Sequence, residues 1–264
     1  MPYLRKIWSE NTKEERLLGV SITGIMDNSL LCGGEGDVGH LLETLRGEVV
    51  AVNASYAEKI GIEQSTATTC VKPSGTVSQL VDSSSGIHAR FSPYYIRTVR
   101  ADNNDPLTKF LKSTGVPNEP CVLKPDQTTV FSFPMKSPQE SRVVEELTAI
   151  DQLNHWLAFQ EHWCEHKPSV TVYVKEHEWP EVGAWVWNNF DKVSGISFLP
   201  FTEHTYKQAP YTEISEEEYD SIIEQNGNLK IDWDELNKFE RGDTTVGMQT
   251  LACSGDSCEI VDLT

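Results

Sequence analysis

The stretch TTCVKPSGTVSQLVDSSSGIHARFSPYYIRTVR, residues 68–100, decides how the rest of the chain is read. A short run of small and β-branched residues, Thr68-Thr69-Cys70-Val71, leads into Pro73-Ser74-Gly75-Thr76 and then Val77-Ser78-Gln79-Leu80. The pattern predicts a strand, a tight turn and the first turn of a helix. Proline fixes φ on entry, glycine tolerates the turn, and serine and threonine cap or hydrogen-bond. Such a turn aims several backbone N–H groups and the positive end of a helix at one spot, a common way to hold a phosphate. Lys72 adds a full positive charge beside it. An ordinary, well-capped strand-to-helix turn has the same sequence, and both readings stand at this level. A P-loop is excluded, because no G-x-x-x-x-G-K-[ST] occurs in the chain.

Beyond the turn, Ser83 to Arg90 is a small-residue loop carrying His88 and Arg90. A lone histidine in such a loop is expected to be structural or to shape a pocket rim, not to ligate a metal. Tyr94 to Arg100 alternates as a strand, with Tyr95, Arg97 and Val99 on one face. Its arginines either face a phosphate or pair with the chain's many carboxylates.

Further out, the apolar run Leu18–Thr23 predicts a buried strand of a parallel sheet. Residues 39–60 have near-helical apolar spacing, read as one or two helices used mostly for core packing. Asp105-Pro106 opens a capped helix that Gly115-Val116-Pro117 ends. Thr128 to Phe133 is a strand stopped by Pro134, and Glu140 to Trp163 a long helix. Strands at 168–174 and 194–200 flank a helix from Trp179 to Phe190. This alternation predicts an α/β architecture with a mainly parallel sheet. Glu213 to Glu224 is strongly acidic and reads as a solvated helix face, followed by a short helix or edge element near Trp233.

Composition narrows the function. The chain has 264 residues, 38% hydrophobic and 23% charged, which suits a folded, water-soluble protein. A net charge of −18 argues against broad electrostatic binding to nucleic acid or an anionic membrane. Any phosphate must therefore be held locally, against the overall field. No apolar run approaches about 18 residues, and the first residues do not lead into a signal-peptide core, so the expectation is a cytoplasmic protein. Six cysteines are too few for a disulfide scaffold, and Cys32, Cys70, Cys121 and Cys164 are scattered. Cys253 and Cys258 stand close together near the end, separated by Ser-Gly-Asp-Ser, which lets the sulfurs meet. A redox pair, a zinc ligand pair and incidental thiols all remain open, although no second cysteine or histidine pair completes a zinc site.

Taken together, ERLLGVSITGIMDN (15–28), TTCVKPSGTVSQL (68–80), SSGIHARFSPYYIRTVR (84–100), HKPSVTVYV (166–174), GISFLPF…YKQAPYTEI (195–214) and TTVGMQTLACSGDSCEI (244–260) resemble a known family. It is the C-terminal part of the adenosylcobalamin-dependent (class II) ribonucleoside-triphosphate reductases, matched in the family's order. The resemblance implies the second half of a ten-stranded α/β barrel plus a flexible C-terminal redox tail. The corresponding divisions are a lead-in (1–16), a half-barrel (17–210), an acidic helical extension (211–243) and the tail (244–264). It implies that Pro73, Ser74, Gly75 and Thr76 hold substrate phosphate. Cys253 and Cys258 would re-reduce an active-site disulfide and be reduced in turn by thioredoxin. Adenosylcobalamin would be the cofactor and a ribonucleoside triphosphate the substrate; neither nucleic acid, membrane nor a metal site of this chain is implied. The family's radical cysteine precedes the region matched by Gly19, so no cysteine here takes that role, and an N-terminal reductase fragment is the expected partner. Two other readings stay open: a non-catalytic nucleotide-binding or regulatory fragment derived from a reductase, and a nonfunctional remnant.

Overall fold

The computed structural model describes residues 5–33, 36–74, 77–201, 207–227 and 229–240. In chain order its elements are α1 (Lys6–Glu15), β1 (Val20–Ser21), α2 (Val38–Ile60), β2 (Thr69–Cys70), α3 (Val77–Leu80), β3 (Tyr94–Asp102), α4 (Pro106–Ser113) and β4 (Asn118–Pro120). Then follow β5 (Thr128–Lys136), α5 (Ala149–His162), β6 (Thr171–Val174), α6 (Trp179–Asn188), β7 (Ser197–Pro200), β8 (Tyr211–Glu213), α7 (Glu216–Asn226) and α8 (Leu236–Phe239). They divide into two compact units, Met1–Arg90 with Glu140–Thr202, and Phe91–Gln139 with Glu203–Thr264. The stretch 17–210, expected to act as one half-barrel, is thus shared between the two units.

The first unit is built on short parallel strands. Val20 pairs with Thr69 in β1–β2, and Thr171 with Ser197 in β6–β7. A parallel bridge between Val71 and Pro168 joins the two pairs. Behind the strands lies a core that includes Ile25, Leu42, Val71, Leu153, Trp156 and Phe159. Two tryptophans in it keep their indole N–H groups satisfied by donating to strand carbonyls: Trp156 to Pro168 (2.9 Å) and Trp163 to Cys70 (2.8 Å). No closed barrel forms among the described residues.

The second unit holds a four-stranded antiparallel sheet in the order β4-β5-β3-β8. Its core centres on Tyr95, Val130 and Phe131, with Phe110 of α4 packed edge-on to Phe239 and tilted against Trp233. The expected mainly parallel sheet is therefore corrected, since the largest sheet is antiparallel. The alternation of strand and helix in sequence does not report direction. Between β3 and β5 the chain inserts both α4 and β4, and it returns along β3 instead of crossing over it.

Local expectations meet the structure unevenly. The run 18–23 is strand only at Val20–Ser21 and is exposed there, because β1 has β2 on one side and no partner on the other among the described residues. The 39–60 stretch is a single 23-residue helix, begun by the Asp37 side chain accepting the His40 N–H and ended at Gly61 with φ +71°. Only Gly39, Leu42 and Ala57 of it are buried, so most of its apolar residues are not core. Pro134 does not stop β5, which runs on to Lys136. It lies beyond the three-residue reach of β4, where one side of β5 has no strand partner among the described residues and a missing N–H is tolerated. The helix expected from 140 starts at Ala149 instead, because Thr148 and Asp151 form a capping box at its head. The acidic stretch does form an exposed helix, α7, capped reciprocally by Ser215 and Glu218.

His155 on α5 has its Nε2 buried without a partner among the described residues. Burial, and then the charge of Arg142, push its pKa down from 6.5 to about 4. The unfolded chain takes up this proton near pH 6.5 and the folded chain does not, so the associated stability is present above that pH and is lost as pH falls towards 4. The urea midpoint is expected to drop between pH 6.5 and 5, and to drop less in His155→Gln; equal slopes in the two proteins would refute this assignment.

Candidate functional site

The turn predicted as a phosphate holder is anchored on both flanks. On one side β2 is tied down by Glu165, whose carboxylate accepts the Thr68 N–H (2.7 Å) and the Thr68 hydroxyl (2.6 Å). Burial raises the Glu165 pKa, and these hydrogen bonds outweigh it, leaving the group below the usual carboxylate value. On the other side α3 is a single turn, with the Ser78 hydroxyl and N–H both directed to the Ser74 carbonyl. The expected strand and helical turn lie on either side of residues 73–76. Of the four predicted phosphate-holding residues, Pro73 is exposed and Ser74 half-buried, while Gly75 and Thr76 lie outside the described residues. Cys253 and Cys258 also lie outside them.

Two further chain segments, 21–23 and 84–86, converge on the turn. The Ser21 hydroxyl accepts the Lys72 N–H at 3.0 Å. Ser74 and Thr23 share a hydroxyl–hydroxyl hydrogen bond of 2.9 Å. Thr23 in turn donates to the Ser84 carbonyl (2.9 Å) and accepts the Gly86 N–H (3.0 Å). Gly86 has φ +57°, and a Cβ there would stand 2.5 Å from the Lys72 carbonyl oxygen, so glycine alone lets the 83–90 loop lie against the turn.

That loop is fixed by a buried ion pair that the sequence reading did not pick out. The Arg90 side chain, 2% exposed, forms two parallel 2.9 Å bonds to the carboxylate of Asp27, which is 14% exposed. It also reaches the Asp82 carboxylate (3.2 Å) and carbonyl (2.7 Å). Asp27 uses the same carboxylate to accept the Ser84 N–H at 2.7 Å. Arg90 and Asp27 stand 63 positions apart, and only the topology brings them together.

His88 is structural. One ring nitrogen meets the Ser85 carbonyl and the other accepts the Thr171 N–H, both at 3.0 Å, which requires the neutral ring with its proton on Nδ1. Burial lowers its pKa further than the Ser85 contact raises it. With both nitrogens engaged, His88 offers nothing to a cobalt ion. No cluster of three or more His, Cys, Asp or Glu side chains that could hold a metal occurs among the described residues.

Of the strand arginines, Arg97 lies over the Tyr211 ring and Arg100 donates to the Gln208 carbonyl at 2.8 Å. Burial raises the thiol pKa of Cys70 and pushes that of Cys164 up to about 12, so neither is primed for nucleophilic or redox work. Beside the turn is an open groove of about 400 Å³ with Leu17, Leu18 and Pro73 on its apolar side and Lys72 and Lys167 as its cations. In a chain of net charge −18, Lys72 and Lys167 are thus two positive charges lining one groove beside Pro73. No helix among the described residues is long and apolar enough to cross a membrane.

Replacing Arg90 by Met is expected to cost about 3–5 kcal/mol, because it leaves the Asp27 carboxylate buried and uncompensated. Replacing Asp82, whose side chain is 65% exposed, by Asn is expected to cost under about 1 kcal/mol. Denaturant unfolding of the two variants measures the difference, and equal losses would contradict the ranking.

No protein-family model matches the chain. Curated proteins do. An adenosylcobalamin-dependent ribonucleoside-triphosphate reductase of Euglena gracilis is 28% identical over 256 residues, 95% of this chain and 35% of that protein. A probable one of Dictyostelium discoideum is 32% identical over 215 residues, 80% of this chain and 27% of that protein. One of Lactobacillus delbrueckii subsp. bulgaricus is 26% identical over 288 residues, 98% of this chain and 39% of that protein. Among solved structures, a B12-dependent (class II) ribonucleotide reductase superposes with a TM-score of 0.77 at 23% identity, over 91% of this chain and 37% of the other, which establishes a shared fold. Over most of its length the chain is homologous to part of the adenosylcobalamin-dependent ribonucleoside-triphosphate reductases, and it spans about a third of the length of the curated relatives it matches.

Proposed function

We propose that this chain is the C-terminal portion of a B12-dependent ribonucleotide reductase that converts ribonucleoside triphosphates to deoxyribonucleoside triphosphates. The observation that carries the reading is the coincidence of homology along most of the chain with a stretch, Lys72 to Ser74, held by two separate segments beside a lysine-rimmed groove. In this reading Pro73, Ser74, Gly75 and Thr76 form the substrate-phosphate turn. The acidic surface elsewhere then repels free anions, and the local cations with the turn's amides supply the attraction.

The tail supplies reducing equivalents. The Cys253 and Cys258 thiols pass two electrons and two protons to a disulfide formed in the active site during turnover, and become a disulfide themselves. Thioredoxin, through its own dithiol, returns both. The radical cysteine and the active-site disulfide belong to an N-terminal piece, which the chain needs as its partner. Adenosylcobalamin would serve the assembled enzyme. His88 has both ring nitrogens engaged, and no described residue of this chain is assigned to the cofactor.

The test is co-expression with a complementary N-terminal reductase piece, followed by an assay of deoxynucleotide formation with adenosylcobalamin and thioredoxin. Activity is expected only in the pair. Cys253→Ser and Cys258→Ser should abolish turnover with thioredoxin and keep part of it with a small dithiol. Absence of activity in the pair would overturn the reductase reading, and a chain that binds nucleotide without it would be a non-catalytic nucleotide-binding protein. Cysteine variants that turn over normally with thioredoxin would overturn the shuttle alone.

A further inference from the structure

A hydroxyl carries one proton, and counting protons around Thr23 constrains what Ser74 can do. The Thr23 hydroxyl lies 2.9 Å from the Ser84 carbonyl oxygen, which can only accept, so the Thr23 proton is used there. The Gly86 N–H, 3.0 Å away, can only donate and takes one Thr23 lone pair. Among the described residues the remaining side-chain bond of Thr23 is the 2.9 Å bond to Ser74, and with the Thr23 proton directed to Ser84 the donor there is Ser74. The Ser74 hydroxyl therefore presents oxygen lone pairs, not a proton, to anything else near it. A phosphate at neutral pH is an acceptor and gains nothing from such a group.

Thr23 is also the point at which the loop and the turn meet. Through Gly86 it holds the 83–90 loop, and Gly86 lies so close to the Lys72 carbonyl that any side chain there would collide with it. Through Ser84 it connects to Asp27 and the buried Arg90. Its other two bonds hold the 83–90 loop, which lies against the Lys72 carbonyl at Gly86, so this indirect hold on the turn survives without Ser74.

We propose that Thr23 is the positioning residue of the phosphate turn, and that Ser74 acts by donating its hydroxyl proton to Thr23 and not to the phosphate. This rests on the reading of the turn as a phosphate site. Capture of the anion then falls to groups other than the Ser74 hydroxyl, Lys72 among them, and Ser74 is placed from the segment that follows β1.

The test titrates the full-length chain with inorganic triphosphate by calorimetry, comparing wild type, Ser74→Ala, Thr23→Val, Thr23→Ser and the Thr23→Val/Ser74→Ala double variant. Circular dichroism melts accompany each titration. The expected result is a loss of affinity under threefold for Ser74→Ala and of tenfold or more for Thr23→Val. Thr23→Ser, which restores the hydroxyl, should return to within threefold of wild type. The double variant should match Thr23→Val, because Ser74 works through Thr23. A tenfold loss in Ser74→Ala, or a further tenfold loss on adding it to Thr23→Val, would show a direct Ser74–phosphate bond and overturn the proposal. If Thr23→Val does not fold, the Ser74→Ala and Thr23→Ser affinities decide between the same two outcomes. Wild-type chain that takes up no triphosphate would instead overturn the phosphate reading of the turn, and this inference with it.

Discussion

The Arg90–Asp27 pair is the interaction on which the site depends. A guanidinium that is 2% exposed has little access to water, so its charge is stable only where a carboxylate meets it with matched geometry. Asp27 does so with two parallel bonds, and Asp82 supplies the rest. Because these residues come from the segment after β1 and from the loop before β3, the pair staples together the two stretches that flank the Pro73–Ser74 turn. Asp27 then passes the constraint to Ser84, Ser84 to Thr23, and Thr23 to Ser74 and Gly86. A buried pair of this kind adds little net stability compared with apolar packing; what it fixes is one relative placement of the segments.

Part of this arrangement could be read from the chain. The cap at Asp105 follows from local chemistry alone, because it depends on residues within four positions. His88 was expected to be structural, and both its nitrogens are in use. What could not be read depends on distant partners. Arg90 looked like one basic residue in a small-residue loop, and nothing local marks Asp27 as its counterpart. Thr23 reads as an ordinary β-branched member of an apolar run until topology sets its hydroxyl among Ser74, Ser84 and Gly86. Strand direction failed for the same reason: the pairing of Tyr95 with Met135 and Glu213 is a long-range fact that alternating periodicity does not encode. The exposed apolar residues of α2 and β1 were misread as core because spacing reports which face is apolar, not what covers it.

The electrostatics of the chain also acquire a simple form. A molecule with net charge −18 is a poor collector of anions in general, yet it places Lys72 and Lys167 on one groove beside Pro73. Screening confines the repulsion from remote carboxylates to about 8–10 Å at physiological salt, so two nearby cations and oriented amides govern the local field. In the proposed reading, selectivity for a phosphate-bearing ligand would come from a site whose shape is set by hydrogen bonds among Thr23, Ser74, Ser84 and Gly86.

The central claim is that the 72–86 region captures substrate phosphate on a frame already built into this chain. Amide hydrogen exchange with and without a ribonucleoside triphosphate tests it most directly. The account predicts slowed exchange concentrated in peptides covering Lys72–Ser74 and Ser83–Gly86, with little change in β3, β5 and α7. Unchanged exchange there, or protection confined to another part of the chain, would contradict it.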